Sequence, residues 1–187
     1  MKILNRYTDK LIYENNDTDS IRETVEEAVK QGIRLHFADL AYADLSEANL
    51  NRAALNSANL REANLTRANL IEAGLRRADL SCADLREIDL CGADLTDANL
   101  SNANLESAKL YAATLYGAKG IISIGPIGNE DRIIYAYRYN NEVYVMAGCF
   151  NGTLEEFANV VIDKYGDNRA EYNAAITLIQ AKFGKEK

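Results

Sequence analysis

The sequence predicts a repeat solenoid with a small module at each end, and three observations predict it. Leu recurs at every fifth position from Leu35 to Leu115 without a skip. Ala stands two residues before almost every Leu, with Ile88 the only break before Ala118, and Asp or Asn mostly fills the position between. The flanks on either side lack this pattern. A period of five fits neither the 3.6 of a helix nor the 2 of a strand, and a short fixed period marks a repeat architecture. The chain therefore divides into an N-terminal cap at 1–32, a repeat body at 33–118 and a C-terminal α/β module at 119–187.

The run ADLSEANLNRAALNSANLREANL resembles the pentapeptide-repeat family. The resemblance implies a mainly β fold, a right-handed quadrilateral β-helix with four pentapeptides per coil. Leu and Ala would point inward and the other three residues outward. Seventeen Leu at this spacing then make just over four coils. The expected core is Leu40, Leu45, Leu50, Leu55, Leu60, Leu65, Leu70, Leu75, Leu80, Leu85, Leu90, Leu95, Leu100, Leu105 and Leu110. Each buried Leu contributes roughly 1.5–3 kcal/mol. Ile88 must fit where Ala normally goes, so the coil should widen there.

Four repeats per coil would stack residues twenty apart at about 4.8 Å. One such column reads Asp39, Asn59, Asp79, Asn99, and the next reads Asp44, Asn64, Asp84, Asn104. Asp and Asn alternate, as expected if stacked like charges are destabilising. Glu47, Arg67 and Glu87 alternate in sign in another column, and Arg52 and Glu72 in a fourth.

In the N-terminal flank, Ile3 to Tyr7 and Leu11 to Glu14 read as two short strands turning at Thr8-Asp9. Ser20 with Glu23 makes a capping box. Ile21, Val25, Ala28 and Val29 form one apolar helical stripe, and Gly32 ends the helix. This ββα cap is expected to cover the open edge of the first coil, because terminal repeats need capping. Phe37 and Tyr42 are assigned to contact with it.

In the C-terminal flank, Ile133 to Tyr139 and Glu142 to Ala147 read as a hairpin about Asn140-Asn141. Tyr137 should face Tyr144, and Tyr135 should face Met146. A second capping box, Thr153 with Glu156, opens a helix bearing Leu154, Phe157, Val160 and Val161, stopped by Gly166. Another helix runs from about Arg169 to Phe183 with Tyr172, Ile176, Ile179 and Phe183 on one side. The expected module is ββαα, packed where Tyr111 and Tyr116 point outward. SIGPIGNED shares only its glycines with a phosphate loop, since no GK[ST] follows. The segments IGPIG, AGCFNGTLEEF, YGDN and EYNAAITLI resemble a region on pentapeptide-repeat proteins of bacteriophages and prophages, which implies a phage-type origin.

Composition narrows the function classes. The net charge is −7 and the pI near 4.9, so direct nucleic-acid binding through phosphates is not expected. No apolar run is long enough to span a membrane, and the start MKILNRYTDK lacks the apolar core of a signal peptide. A cytoplasmic protein with no cofactor and no metal site is expected. The three Cys are read as reduced thiols, with Cys149 buried at a strand end. His36 is the only His and has no partner nominated for catalysis, so no catalytic residue is assigned and no enzyme is expected.

Two readings of function remain. In the first, the chain is a non-enzymatic interaction or scaffold protein presenting a rigid surface to a protein partner. Its candidate surface is Tyr135, Tyr137, Tyr139, Tyr144, Cys149 and Phe150, carrying a partner site or a homodimer contact, because Tyr favours interfaces. In the second, which the resemblance suggests, the rod is an acidic DNA mimic that inhibits a DNA topoisomerase or another DNA-binding protein. Residues 38–118 carry twelve Asp and Glu against seven Lys and Arg. Arg76, Arg77 and Arg86 interrupt that acidity at mid-body.

Overall fold

The computed structural model describes residues 1–127, 132–164 and 169–184. It divides into two compact units, Met1–Gly120 and a second beginning at Ile121.

In the first unit every five residues make one straight side and one corner. At each corner the Ala N–H donates to the C=O of the preceding Leu, as Ala58 does to Leu55 at 3.0 Å. The second residue after Leu has a positive φ at each corner from Phe37 (+62°) to Ala112 (+57°). A three-residue closure with a left-handed third residue is the mark of a type II turn. Most of these positions are not Gly, and each left-handed L-residue is disfavoured on its own. The sides hold them in place. Residues twenty apart are bridged in parallel, Asp39 to Asn59, Asn59 to Asp79 and onward to Asn99 with Lys119, so each coil takes four pentapeptides.

Three backbone bonds per repeat join successive coils. The Leu40 N–H donates to Asn59 at 2.8 Å, Asn59 donates back to Ala38 at 2.8 Å, and Phe37 donates to Asn56 at 3.1 Å. Inside, every Leu from Leu40 to Leu110 is buried, with at most 3% exposed. Ile88 is accommodated by a stretched corner. Its bond to Leu85 is 3.3 Å, the longest turn bond of the body.

The N-terminal segment closes the first coil differently from expectation. Strands β1 (Lys2–Leu4) and β2 (Leu11–Glu14) pair antiparallel, but β1 stops three residues short of Tyr7. The Asn5 side chain accepts the N–H groups of Tyr7 and Thr8 and turns the chain. Leu4 to Arg6 then pair with the first coil. The Asp39 N–H donates to Leu4, and the Arg6 N–H donates to Phe37, both at 2.8 Å.

Helix α1 (Ile21–Lys30) buries Val25 and Ala28 as read, together with Thr24. It also supplies side-chain caps to the coil edge. Glu26 accepts the Asn49 N–H at 2.7 Å, and Arg22 donates to the Ser46 C=O at 3.0 Å. The edge is thus paired by β1 and by α1 side chains, where an apolar stripe alone would leave its polar groups unsatisfied. The Ser20 cap accepts the Glu23 N–H, but Glu23 returns only through the Thr18 hydroxyl. Gly32 (φ +70°) ends α1, with Gly32 and Ile33 donating to Val29 and Ala28, a Schellman pair. Phe37 meets Tyr7 edge-on at 6.0 Å. Tyr42 is exposed, against the expected contact with the cap.

Among the described residues the second unit holds four strands before two helices, two strands more than expected. β3 (Ile121–Ile127), β4 (Arg132–Tyr139), β5 (Glu142–Ala147) and β6 (Phe150–Thr153) form an antiparallel sheet in that order. β3 escaped the sequence reading because Gly125 and Pro126 sit within it. Pro is tolerated on an edge strand, and the β3–β4 register shifts there. β6 is four residues long and contains Gly152. The Asn140-Asn141 turn has both φ values positive, +48° and +65°, a type I′ signature, and Tyr137 pairs with Tyr144 and Tyr135 with Met146 as read.

Thr153 and Glu156 form a reciprocal capping box at the start of α2 (Leu154–Lys164). Gly166, its expected stop, lies outside the described residues. α3 covers Arg169–Phe183. Ile134, Ala136, Val145 and Ala147 on one face of the sheet pack with Phe157, Val161, Tyr172, Ile176 and Ile179 of the helices.

Gly120 has φ +83°, and a Cβ there would lie 2.6 Å from the Leu100 carbonyl. Backbone cannot give way as a flexible side chain would. Gly120→Ala should lower stability by roughly 2 kcal/mol or more through strain and overlap. Thermal melts check it. An unchanged melting temperature would mean the chain leaves the last coil by another path.

Candidate functional site

The corners leave one backbone group unserved. The residue just after Leu has an N–H that no coil neighbour accepts, and the Asp or Asn two positions earlier takes it. Asp79 accepts from Ser81 and Asn64 from Thr66, both at 3.1 Å. Asn49, Asn59, Asn69, Asp84, Asp89, Asp94, Asn99 and Asn104 do the same for the residues two ahead. Each of these corners is an Asx turn.

Asn has a second use, since its amide donates to the carboxylate of the coil before. Asn59 reaches Asp39 at 2.8 Å, Asn64 reaches Asp44 at 3.1 Å, and Asn99 reaches Asp79 at 3.1 Å. The alternation in these columns is therefore donor against acceptor, a stronger reason than avoided repulsion. Gly74 lacks the side chain, and Asn56 of the previous coil fills its place, accepting the Arg76 N–H at 3.0 Å.

The charged corners are paired as well. Arg52 meets Glu72 at 2.8 Å and Arg67 meets Glu87 at 3.0 Å, both twenty residues apart and as read. Other pairs escaped the column reading: Arg77 with Asp97, Arg76 with Asp94, Arg86 with Asp84, Arg61 with Glu62 and Lys109 with Asp89. All seven Lys and Arg of residues 38–118 are thus engaged. These pairs are exposed and add little stability each. Their consequence is for the surface field, which is broken into neutral couples.

Asp79, Asp84, Asp89 and Asp94 ring one coil. The Arg86 guanidinium holds the Asp84 carboxyl below its ordinary range. Burial alone would raise Asp79, Asp89 and Asp94, but donors from Ser81, Cys91 and Thr96 outweigh it and hold each below the ordinary range. Burial, with Asp89 beside it, pushes the Cys91 thiol up, which makes it a poor nucleophile.

The six candidate surface residues do not form one surface. Tyr135, Tyr137, Tyr139 and Tyr144 share the sheet face opposite the helices, with the Tyr137 and Tyr144 rings stacked at 5.5 Å. Tyr137 is buried, while the other three are part-buried. Phe150 lies on the other face, against Phe157 at 5.2 Å. Cys149 is exposed in the turn between β5 and β6, beside Gly148 at φ +64°. The expectation of a buried Cys149 is corrected: the extra strand β6 makes its position a turn tip. Among the described residues no group of three or more His, Cys, Asp or Glu could hold a metal, and no helix is long and apolar enough to cross a membrane.

The fold and its corner chemistry define a class: a quadrilateral solenoid of five-residue repeats. A family profile described as Pentapeptide repeats matches in eight copies, at residues 31–67, 58–97 and 83–119. The chain belongs to the pentapeptide-repeat family.

Similar solved structures include a pentapeptide repeat protein of the cyanobacterium Cyanothece 51142, 36% identical over 43% of this chain and 54% of that one, TM-score 0.43. One from the Arabidopsis thaliana thylakoid lumen is 37% identical over 43% of this chain and 56% of that one, TM-score 0.42. A third, from Nostoc PCC 7120, is 40% identical over 50% of this chain and 74% of that one, TM-score 0.43. The chain spans little more than half the length of the first two, 54% and 56%. No curated protein matches it.

Two predictions follow from the Asx columns. Asn59→Asp removes the donor to Asp39 and stacks three carboxylates, and should cost up to about 1 kcal/mol per like-charge contact at low salt, shrinking in high salt. Asn56→Asp keeps the acceptor for Arg76 and should be near neutral. Melts at two salt concentrations separate them, and equal shifts would contradict the columns.

The second prediction concerns acid. A carboxyl held below its ordinary range stabilises the fold above the unfolded value, near 3.9, and that stability is lost as pH falls through the folded value. Melting temperature should be flat from neutral to about pH 5 and fall below about pH 4. Asp84→Asn should lower it at neutral pH and make the acid fall shallower. An acid profile parallel to the parent would contradict the assignment.

Proposed function

We propose that this chain is a non-enzymatic interaction or scaffold protein whose rigid β-helix presents a patterned surface to a protein partner. Members of the family are generally structural or interaction proteins rather than enzymes. The observation that carries the reading is the pairing of all seven body cations with neighbouring carboxylates. Such a surface offers directional donors and acceptors at a fixed pitch, suited to a protein surface of matching groups.

The alternative, an acidic rod that imitates DNA for a topoisomerase, needs a continuous negative face. The coil-to-coil ion pairs oppose it, while the acid excess of the body favours it. The finer architecture belongs to the same proposal: a right-handed winding of just over four coils, capped at its N-terminal end. So do a phage or prophage origin, supported by the resemblance of AGCFNGTLEEF and EYNAAITLI, and a place in the host cytoplasm.

A supercoiling assay with purified gyrase decides between the two readings. The interaction reading expects no inhibition at concentrations well above the enzyme's, and dose-dependent inhibition would overturn it. Affinity capture from infected cells, repeated with Arg67→Glu in the bait, should then lose a specific protein partner.

A further inference from the structure

The first coil has an edge that α1 covers only in part. On the side carrying Asn49, Asn69 and Asp89, each lower coil offers the coil above it two carbonyls, two residues apart. Asn69 accepts the Leu50 N–H at 2.8 Å, and Ile71 accepts the Arg52 N–H at 2.9 Å. Asn49 and Asn51 hold the same two positions in the first coil, twenty residues earlier. Glu26 takes the Asn49 N–H through Oε1. Among the described residues no donor reaches the C=O of Asn49 or of Asn51. Both residues border an open groove of about 620 Å³ beside α1, whose helix side is Glu23, Glu26, Glu27, Val29 and Lys30.

The groove is built of acceptors. Among the described residues Glu26 has Oε2 and Glu23 has Oε1 without a hydrogen bond, the first using Oε1 for Asn49 and the second Oε2 for the Thr18 hydroxyl. Glu27 is occupied by Lys30 and Gln31. Three carboxylates against one ammonium leave the lining net negative. An added strand does not suit this edge. It would bring a carbonyl to the Asn49 N–H, as Ala48 does for Asn69, and Glu26 already holds that N–H. A cation with donors and no acceptor does suit it, and a guanidinium is such a group, with five N–H in one plane. Carbonyls two residues apart on a strand stand about 6.6 Å from each other. One guanidinium between them donates to both and keeps N–H groups for Glu26. An ammonium is a compact point charge without that planar fork. Val29 gives the methylene stem of an arginine an apolar wall.

We propose that the groove between α1 and the open edge at Asn49–Asn51 is a docking pocket for an arginine side chain carried on an exposed segment of a protein partner. This rests on the interaction reading above and names the chemistry of the partner. The open edge supplies two carbonyl acceptors, Glu26 supplies a charge-assisted bond, and Glu23 adds to the negative field at the rim. The same carboxylates repel a phosphate-bearing partner. The site is open to water, so one ion pair gains little by itself. A short arginine peptide therefore binds weakly, and the rest of the partner's surface sets the strength of the whole contact.

Titration of the isotope-labelled full chain with the peptide acetyl-Gly-Ser-Arg-Ser-Gly-amide, followed by two-dimensional NMR, tests it. The amide signals of Glu26, Asn49 and Asn51 should shift together and saturate. The same peptide with citrulline in place of arginine should leave them still, and a lysine version should bind at least several-fold more weakly. Glu26→Gln keeps an oxygen for the Asn49 N–H but turns an amide donor into the groove. It should weaken the arginine peptide at least several-fold with little change in melting temperature. Lys30→Gln removes the opposing charge and should tighten binding, a gain that a damaged fold does not produce. No saturable shift, shifts spread evenly over the acidic surface, lysine binding as well as arginine, or no response to either substitution would each overturn the proposal. Affinity capture judges the scaffold reading separately. A captured partner with a silent groove removes this site alone, and a saturable groove with no captured partner counts against that reading alone.

Discussion

A coil of twenty residues must bend sharply four times, and each bend leaves one backbone N–H that no neighbouring coil can accept. The rest of the body depends on how that group is satisfied. At most corners an Asp or Asn ahead of the Leu reaches two residues on and accepts it, as at Asp79 with Ser81. The same bend places a residue in the left-handed region, which non-glycine residues enter only when their surroundings hold them there. Coil-to-coil bonds on both sides of the corner supply that hold. Leu then fills the interior because the corner geometry points it there, and the small Ala leaves the coil narrow enough for the bonds to close.

The surface inherits its pattern from this constraint. An outward residue is stacked on a partner twenty positions away, so charges are selected in couples. Asn alternates with Asp where it can donate, and Arg alternates with Glu at the corners. The result is an acidic repeat body whose seven cations are tied down locally, with a short-range pattern in place of a broad field. The N-terminal edge follows the same logic. Glu26 and Arg22 of α1 stand in for the missing coil, one accepting from Asn49 and one donating to the Ser46 carbonyl.

Much of the fold was legible because the repeat is written in residue identity. The Leu positions, the twenty-residue columns, the pairs Arg52–Glu72 and Arg67–Glu87 and the Tyr137–Tyr144 register could all be read directly. What escaped had weak local signals. β3 carries Gly125 and Pro126, which read as a loop, and only its pairing with β4 makes it a strand. β6 is too short to show alternation, and missing it left Cys149 at an apparent strand end instead of a turn tip. The grouping of Phe150 with the tyrosines failed for the same reason, because its face is set by pairing with Ala147. The Asx role of Asp and Asn was hidden because sequence shows the residue and not the N–H it serves.

A disulfide between stacked corners tests the twenty-residue coil most directly. Cys82 is exposed and occupies the same corner position as Asn102, one coil on. Stacked residues stand about 4.8 Å apart, within the Cα span a disulfide tolerates. In Asn102→Cys, mild oxidation should join the new thiol to Cys82 within one chain, seen by mass spectrometry of the digested protein. Asp97→Cys, fifteen residues from Cys82 and on another corner, should not cross-link to it. Ready cross-linking of Asp97→Cys with none in Asn102→Cys would mean that the coil does not close on four pentapeptides.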